Sequence, residues 1–260
     1  MKTVNHKTPS LGGKGIMMGR PAFTEDLSDV NSLIVKILRS PHAFAKIKNI
    51  DVSEARALPG VELVLTHHDV PRTSFTRAGQ GYPEPSPHDK FILDEYVRYV
   101  GDEVACVAAV SEEVAEKALS LIKVEYEVLE PVLDFEKAKD NPSVLHPEEG
   151  IKEMFPIGFL PKRNVAASYA MHVGDVDQVL AQCEVTVTQS FYTQAQAHAM
   201  LEPHCANARM DFQNRLVIYT STQTPFHVRR ILSQTLAFPL SKIRVIKPRV
   251  GGGFGVCEEV

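Results

Sequence analysis

The chain has 260 residues, of which 44% are hydrophobic and 23% are charged, and its formal net charge is −4. This composition is typical of a globular protein of one large or two ordinary domains, and the absence of a basic excess argues against a nucleic-acid partner. The longest apolar run, residues 104–110, is far shorter than a membrane span, and the N-terminal sequence lacks the apolar stretch of a secretory signal. We therefore expect a cytoplasmic protein with no membrane span.

The cysteines are few and scattered along the chain. No two of them form a C-x-x-C pair, so the sequence predicts neither a zinc site nor an iron–sulfur cluster in this chain. Their spacing does not indicate a disulfide framework either, and reduced thiols are what a cytoplasmic protein carries. The four positions are Cys106, Cys183, Cys205 and Cys257.

The first elements along the chain alternate between strand and helix. The apolar, β-branched residues 32–40 predict a strand, and Ser53 is expected to cap a short helix that stops at Pro59-Gly60. Residues 61–66 predict the next strand. Residues 79–89 contain enough Gly, Pro and Ser to predict a loop.

The pattern continues as far as residue 130. Residues 96–110 predict two strands around a Gly101-Asp102 turn, and Ser111 is expected to cap a helix with an apolar face toward a sheet. Residues 123–129 alternate as a strand does. Residues 131–165 lack periodicity and predict a connection over the surface.

A second group of elements follows the connection. Residues 173–181 predict a turn and a short helix, and residues 184–192 alternate as a strand. Residues 216–221 predict a further strand. Pro225 suits the first turn of a helix, and residues 243–246 predict a last strand that leads directly into a glycine-rich segment.

That glycine-rich segment, Gly251–Gly255, has the sequence GGGFG. Glycine allows positive φ angles and lets bare peptide N–H groups approach a ligand, which favours an anion or phosphate site. The segment is neither a Walker loop nor a G-x-G-x-x-G fingerprint, so a mere tight turn remains an equal interpretation. Six basic residues precede it: Arg229, Arg230, Lys242, Arg244, Lys247 and Arg249.

Two further stretches gather polar groups. Residues 196–204, QAHAMLEPH, contain His198, Glu202 and His204, whose spacing fits no single helical face for a metal site. The alternative is a strand–turn–strand passage whose polar groups bond to nearby backbone. Residues 221–224, STQT, are expected at the start of the helix that follows, with a threonine as its cap.

Taken in order, these stretches resemble the xanthine dehydrogenase/aldehyde oxidase family over nearly the whole chain. GRPAFTEDL, LRSPHA, DVSEARALPGV, YVGDEVACVAA and IKVEYEVLEPV resemble its a/b hammerhead domain, and HVGDVDQVLAQCEV, QAQAHAMLEPHCA, STQTP and GGGFG resemble the opening of its molybdopterin-binding region. The resemblance implies an α+β fold. It places the hammerhead domain at residues 1–130, a connecting segment at 131–165 and an incomplete molybdopterin-binding domain at 166–260.

The resemblance also implies roles for individual residues. Gln196 matches the glutamine that hydrogen-bonds an oxo ligand of molybdenum, and Gly251–Gly255, made up of Gly251, Gly252, Gly253, Phe254 and Gly255, matches the loop beside the metal. Phe254 would lie against the substrate and the Gly255 amide near the ligands of the metal, so neither Gln196 nor Phe254 would be a direct ligand. Glu258 matches a glutamate that orients a heterocyclic substrate. Val256 and Cys257 depart from the expected Gly and Lys, which leaves the substrate open.

The implied reaction is the hydroxylation of an electron-poor carbon of an N-heterocycle, such as a purine, with oxygen from water. The implied cofactor is molybdenum held by molybdopterin, either alone or as the cytosine dinucleotide, with 2Fe-2S clusters and FAD on partner subunits. Aldehyde or nicotinate-like substrates, a non-catalytic phosphate- or nucleotide-binding module and an inert fragment are the alternatives. Because the family continues beyond the glycine loop, we expect this chain to need the remaining half of the molybdenum subunit and to be inactive alone.

Overall fold

The computed structural model describes residues 4–10, 12–20, 23–78 and 81–258, so the first two residues of the predicted loop 79–89 lie outside it. Within these ranges the chain forms nine strands and five α-helices, which agrees with the predicted α+β class. None of the helices in the described ranges has the length and apolarity to cross a bilayer. The strands are β1 Ile34–Arg39, β2 Ala45–Asp51, β3 Val61–Leu65, β4 Tyr96–Val97, β5 Glu103–Ala109, β6 Lys123–Val128, β7 Ala206–Met210, β8 Leu216–Thr220 and β9 Ile243–Ile246, and the helices are α1 Gly13–Met17, α2 Ser53–Ala57, α3 Glu112–Leu121, α4 Val176–Ala181 and α5 Pro225–Thr235.

The first half contains two three-stranded antiparallel sheets, in the orders β1-β5-β3 and β4-β2-β6. Helix α3 begins where predicted, because the Ser111 hydroxyl accepts a hydrogen bond from the Val114 N–H at 3.3 Å. Its small buried residues, Ala115 and Ala118, let the helix pack closely on the first sheet, where Val107 is fully buried. This packing makes the main apolar core of the first half.

One prediction for the first half is wrong in detail, and another is confirmed with an unexpected pairing. Ser53 is the first residue of α2 rather than its cap, and its N–H donates to the Asp51 carboxylate at 2.9 Å, which leaves Val52 at the cap position. As predicted, two strands flank the Gly101-Asp102 turn. They belong to different sheets, because β4 pairs with β2 and β5 pairs with β1 and β3. The turn therefore carries the chain from one sheet to the other.

The second half is built on the sheet β7-β8-β9. Strands β8 and β9 are parallel, with Leu216 opposite Ile243, and α5 makes the crossover that a parallel pair requires. Helix α5 starts at Pro225 as predicted. Because parallel strands end at the same edge of a sheet, residues 221–224 after β8 and Gly251–Gly255 after β9 are brought to one edge. This edge carries the candidate site.

The strand predicted over residues 184–192 is absent, so that prediction is wrong. The alternation is real, but its apolar face is exposed: Val185 is 77%, Val187 82% and Phe191 85% accessible. A strand needs a hydrogen-bonding neighbour, and none of the nine strands in the described ranges pairs with this segment. The alternation of apolar residues does not show whether another strand is available for pairing.

A buried ion cluster joins the loop of the first half to helix α5. Glu84 is fully buried, and its Oε1 accepts hydrogen bonds from Nε of Arg230 at 3.3 Å and from a terminal nitrogen of the same guanidinium at 3.2 Å. Arg230 also donates to the Gly81 carbonyl at 2.9 Å, and Nδ1 of the buried His227 lies 3.6 Å from Glu84. The cluster fixes the position of α5, and with it the residues that immediately precede the helix.

A second carboxylate, Glu148, ties the chain that follows β6 to the residues after β4. It accepts a hydrogen bond from Arg98 at 2.7 Å and lies 3.1 Å from Nδ1 of His146. Burial opposes its ionisation, but the hydrogen bond from His146 and the charge of Arg98 outweigh burial and hold the pKa of Glu148 at about 2. Glu148 is therefore ionised throughout the neutral range.

Candidate active site

The glycine-rich segment forms a tight, irregular loop at the end of β9. Gly252 and Gly255 have φ angles of 117° and 95°, and Phe254 has a φ of 51°, so three of its residues take up left-handed backbone conformations. The N–H of Val256 donates to the Gly253 carbonyl at 3.1 Å, and the N–H of Glu258 donates to the Gly255 carbonyl at 2.9 Å. These bonds close the loop into a short 3₁₀ turn, so Glu258 is held next to the glycines.

Glu202 anchors the start of the loop. The Gly251 N–H donates to Oε2 of Glu202 at 2.6 Å, and the Glu202 N–H donates back to the Gly251 carbonyl at 3.3 Å. A Cβ on Gly251 would lie 2.5 Å from the Glu202 Cβ, so only glycine allows this approach. Oε1 of Glu202 also accepts the N–H of the buried Thr24 at 3.4 Å. The carboxylate thus bonds to backbone rather than serving in the metal set considered from the sequence.

Gln223 anchors the other end of the loop. Its Oε1 accepts a hydrogen bond from the Gly255 N–H at 3.1 Å, and its Nε2 donates to Oε1 of Glu258 at 3.2 Å. Its own N–H donates to the Cys257 carbonyl at 2.7 Å. Thr224 occupies the cap position of α5, but its hydroxyl donates to the Glu258 carbonyl at 3.0 Å instead of capping the helix. The prediction of a threonine at the cap position is confirmed, but its hydroxyl bonds to the loop and not to the helix.

The structure brings the end of the stretch 196–204 to the loop, whereas Gln196 lies apart from it. Met200 contacts the loop, since a Cβ on Gly252 would lie 3.2 Å from its Cβ, and Glu202 is bonded to Gly251. Gln196 precedes them in an exposed segment without regular secondary structure. Its side chain makes no hydrogen bond to the part of the chain that the structure describes, so its approach to a bound group stays a prediction.

One side of the loop is open. Phe254 is 72% exposed, and a Cβ on Gly255 would meet no atom within 4 Å. The glycines on the other side, Gly251 and Gly253, face Glu202 and Gln223 at distances that exclude any side chain. The loop is therefore accessible at Phe254–Gly255, and the place of the molybdenum centre there stays a prediction. In this structure the Gly255 N–H is already donated to Gln223.

Cys257 is a structural thiol of this site. It is 2% exposed, and its Sγ lies 3.6 Å from the Gly252 carbonyl. Burial raises the pKa of the Cys257 thiol, and the negative charge of Glu202 raises it further. We infer that it stays protonated and unreactive at neutral pH.

Three of the six basic residues before the loop are directed elsewhere. Arg229 donates to the Leu240 carbonyl at 3.1 and 2.8 Å, and Arg230 bonds to Glu84. Arg229 and Arg244 line a separate cavity of about 310 Å³ beside β9. This arrangement gives no support to a phosphate site built from these arginines and the glycine loop.

Comparison with known proteins identifies both halves. Residues 18–130 match the model of the aldehyde oxidase and xanthine dehydrogenase a/b hammerhead domain, and residues 159–259 match the model of the molybdopterin cofactor-binding domain. The chain belongs to the xanthine dehydrogenase/aldehyde oxidase family. The resemblance expected from the sequence is confirmed, and so is the order of a hammerhead domain followed by the start of a molybdopterin-binding domain.

The relatives of this chain are named for different substrates. The chain is 37% identical to the probable hypoxanthine oxidase XdhD of Escherichia coli K12, over 100% of this chain and 30% of that protein. It is 32% identical to the nicotinate dehydrogenase large molybdopterin subunit of Eubacterium barkeri, over 92% of this chain and 52% of that protein. The crystal structure of the aldehyde oxidoreductase from Desulfovibrio gigas superposes with a TM-score of 0.78 at 26% identity, over 95% of this chain and 27% of that one. The chain thus spans between about a quarter and about a half of these relatives.

Sequence patterns missed two residues that shape the family's glycine loop in this chain. Glu202 was considered only as a metal ligand, and Gln223 only as part of a helix start. Glu202 bonds to Gly251, which is 49 residues further along the chain, and Gln223 bonds to Gly255, which is 32 residues further along. The one available signal was that both lie in polar stretches next to the elements that carry the loop.

Proposed function

We infer that the protein serves as the molybdenum-binding subunit, or the N-terminal part of one, of a hydroxylase that acts on an electron-poor carbon of an N-heterocycle such as a purine. The net reaction replaces a C–H bond by C–OH, takes its oxygen from water, and releases two electrons and two protons. The observation that carries this proposal is that the exposed aromatic ring of Phe254 and the carboxylate of Glu258, which Gln223 anchors, belong to the same short loop.

The residues of the loop suit a flat, polar substrate. The face of the Phe254 ring offers stacking to a heterocycle, as aromatic rings do in offset pairs. The carboxyl group of Glu258 accepts from ring N–H groups when ionised and donates to ring nitrogen or carbonyl groups when protonated. Together they would orient the ring so that one carbon faces the metal centre.

The expected cofactor is molybdenum held by molybdopterin, with or without the cytosine dinucleotide extension. When bound, it would supply the two-electron oxidant and the site at which oxygen from water reaches the substrate carbon. The Gln196 amide would donate a hydrogen bond to it without adding charge, and the Gly255 backbone would lie beside it. We place the hammerhead domain at residues 1–130, the connection at 131–165 and the pterin-binding part at 166–260.

The proposal also includes partners. The electrons would pass to 2Fe-2S clusters and FAD on other subunits, and the remaining half of the molybdenum subunit would complete the pocket. We propose a cytoplasmic assembly, which suits a chain whose four cysteines are all free thiols.

The test is a turnover assay on the intact assembly that contains this chain, with hypoxanthine, nicotinate and benzaldehyde as substrates and an artificial electron acceptor. The proposal predicts the highest kcat/KM for hypoxanthine. It also predicts that Glu258→Gln lowers kcat/KM for hypoxanthine by about 10–150-fold, because a hydrogen bond to a charged group contributes about 1.5–3 kcal/mol. Benzaldehyde turnover should change little. Equal losses for both substrates would contradict a role for Glu258 in recognising heterocycles.

Nicotinate is the second candidate substrate. The 32% identity to a nicotinate dehydrogenase subunit favours it, and Val256 and Cys257, which stand where Gly and Lys are expected, leave the substrate open. The same assay separates the two, because a nicotinate enzyme would prefer the carboxylated ring over hypoxanthine.

A further inference from the structure

The sheet β1-β5-β3 has one covered face and one open face. On the covered face, Ala105, Val107 and Ala109 of the central strand β5 are fully buried against helices α2 and α3. Because side chains alternate along a strand, Cys106 and Ala108 point to the opposite face. The register sets a larger apolar residue of each outer strand beside each of them. These six residues form the open face: Val35, Ile37, Leu63, Leu65, Cys106 and Ala108.

The open face is apolar and accessible to solvent. Val35 is 58% and Leu63 49% exposed, and the other four residues are at least partly accessible. None of the six carries a charge. Polar residues adjoin the face at the outer edge of β3, where Arg56 pairs with Asp69 at 3.2 Å. An apolar centre with a polar rim is typical of an interaction surface.

The open face has the shape of a trough. Its central residues, Cys106 and Ala108, are small, and the residues of the outer strands are larger. The covered face has the same arrangement, with Ala105 and Ala109 in its centre, and α3 packs into it through alanines of its own. A helix with its side chains is about 10–12 Å across, close to the width of three strands spaced about 4.8 Å apart. The open face therefore offers a second helix the arrangement that holds α3.

One end of the open face is cationic. Arg39 stands two residues after Ile37 in β1, and its side chain is 54% exposed. It lies 3.5 Å from Glu103, but that carboxylate also accepts hydrogen bonds from Arg77 at 2.9 Å and from Lys90 at 2.7 Å. Arg39 thus shares this acidic partner with two other cations. A carboxylate of an incoming chain would be favoured at this end.

We propose that the open face is the docking surface for an amphipathic helix of the remaining half of the molybdenum subunit, with an acidic residue of that helix near Arg39. The proposal rests on the proposed function, which places the remaining half in the same assembly. An apolar face without charges suits a permanent contact rather than one that forms and separates. The chain also covers only 30% of the hypoxanthine oxidase relative and 52% of the nicotinate dehydrogenase subunit, so each of these relatives carries a long stretch of further polypeptide that could supply the helix.

The thiol of Cys106, in the middle of the open face, reports whether the face is covered. Its alkylation by iodoacetamide is followed by mass spectrometry in the isolated 260-residue chain and in the intact assembly. Burial raises the pKa of the Cys106 thiol, so both reactions are run at about pH 8.5. We expect alkylation to be at least about tenfold slower in the assembly, because the docked helix must move away before the reagent can enter.

A matched pair of variants tests whether apolar contact provides this protection. Val35→Glu puts a charge on the open face, and Val128→Glu puts the same charge at a valine of similar exposure, 62%, in the other sheet. We expect Val35→Glu to bring the alkylation rate of Cys106 in the assembly to within about threefold of that in the isolated chain, since an unpaired charge opposes burial. Val128→Glu should leave the protection unchanged. The isolated variant chains should melt at the same temperature, which shows that both fold.

Crosslinking identifies the occupant. p-Benzoylphenylalanine is incorporated at position 63 of the open face, the intact assembly is irradiated, and the linked peptides are identified by mass spectrometry. We expect them to come from the remaining half of the molybdenum subunit, from a segment with an apolar stripe at helical spacing and an acidic residue at one end. The same group at position 128 is the control and should not link to that segment.

Several results would overturn the proposal. Equal alkylation of Cys106 in the chain and the assembly would show that the face stays uncovered, and protection that survives Val35→Glu would show that apolar contact does not provide it. Crosslinks to an iron–sulfur or flavin subunit, or to a second copy of this chain, would assign the face to another partner. In each case, molybdenum and hypoxanthine turnover in the wild-type assembly would leave the proposed function intact. A wild-type assembly without molybdenum would overturn the proposed function, whatever the crosslinks show.

Discussion

Replacing Glu84 by glutamine tests whether the buried cluster holds the two halves of the chain together. The change keeps the shape of the side chain and removes its charge, so the guanidinium of Arg230 loses its ionic partner. Removing one partner of a buried ion pair costs about 3–5 kcal/mol. Because the Arg230 side chain remains 26% exposed, water offsets part of the loss, and we expect the free energy of unfolding to fall by about 3 kcal/mol.

The assay is urea unfolding of the 260-residue chain followed by circular dichroism, since the sequence contains no tryptophan for a fluorescence signal. Glu149→Gln is the control, because that side chain is 92% exposed in its pair with Lys162 and no measurable change is expected. Pairing Glu84→Leu with Arg230→Met should recover much of the lost stability. A loss for Glu84→Gln no larger than that of the control would refute the argument.

Three further predictions concern other parts of the chain. The pKa of Glu148 in the folded chain, about 2, lies below its ordinary value of 4.5, so Glu148 contributes stability above pH 4.5 that is lost as the pH falls toward 2. Acid unfolding followed by circular dichroism should show a loss of up to about 3 kcal/mol in the free energy of unfolding, and Glu148→Gln should reduce this loss. Gly253→Ala should lower the free energy of urea unfolding by about 1–3 kcal/mol, whereas Gly81→Ala, whose Cβ would meet no atom within 4 Å, should not; equal effects would contradict the close packing of the loop. Mass spectrometry after brief treatment with iodoacetamide at pH 7.5 should find the exposed Cys183 alkylated and the buried Cys257 unmodified, and equal labelling would contradict the burial of Cys257.

Local chemistry was enough to predict several elements. Ser111 followed by two glutamates places the start of α3, and Pro225 places the start of α5, because caps and first-turn prolines act within a few residues. Strand pairing was harder to predict. β2 was missed because its alternation of apolar and charged residues breaks at Asn49, where its pairing register shifts. Residues 184–192 were assigned as a strand although no described strand pairs with them. Pairing depends on partners that are distant in the sequence.

The candidate site also contains some features that local sequence predicts and others that depend on residues distant in the sequence. The loop Gly251–Gly255 was predicted because its composition is unusual over five residues, and its carboxylate Glu258 followed from the family resemblance. The anchors Glu202 and Gln223 could not be assigned, because each meets the loop only after the chain has crossed a sheet. Gln196 stays a prediction, since it lies in an exposed segment that the structure does not bring into hydrogen-bonding contact with the described residues.

The most direct test of the account is the molybdenum content of the native assembly, purified through an affinity tag on this chain and measured by inductively coupled plasma mass spectrometry. The account predicts about one molybdenum per copy of the chain, together with a pterin that is released on denaturation. An assembly that contains this chain in full amount but neither molybdenum nor pterin would contradict it.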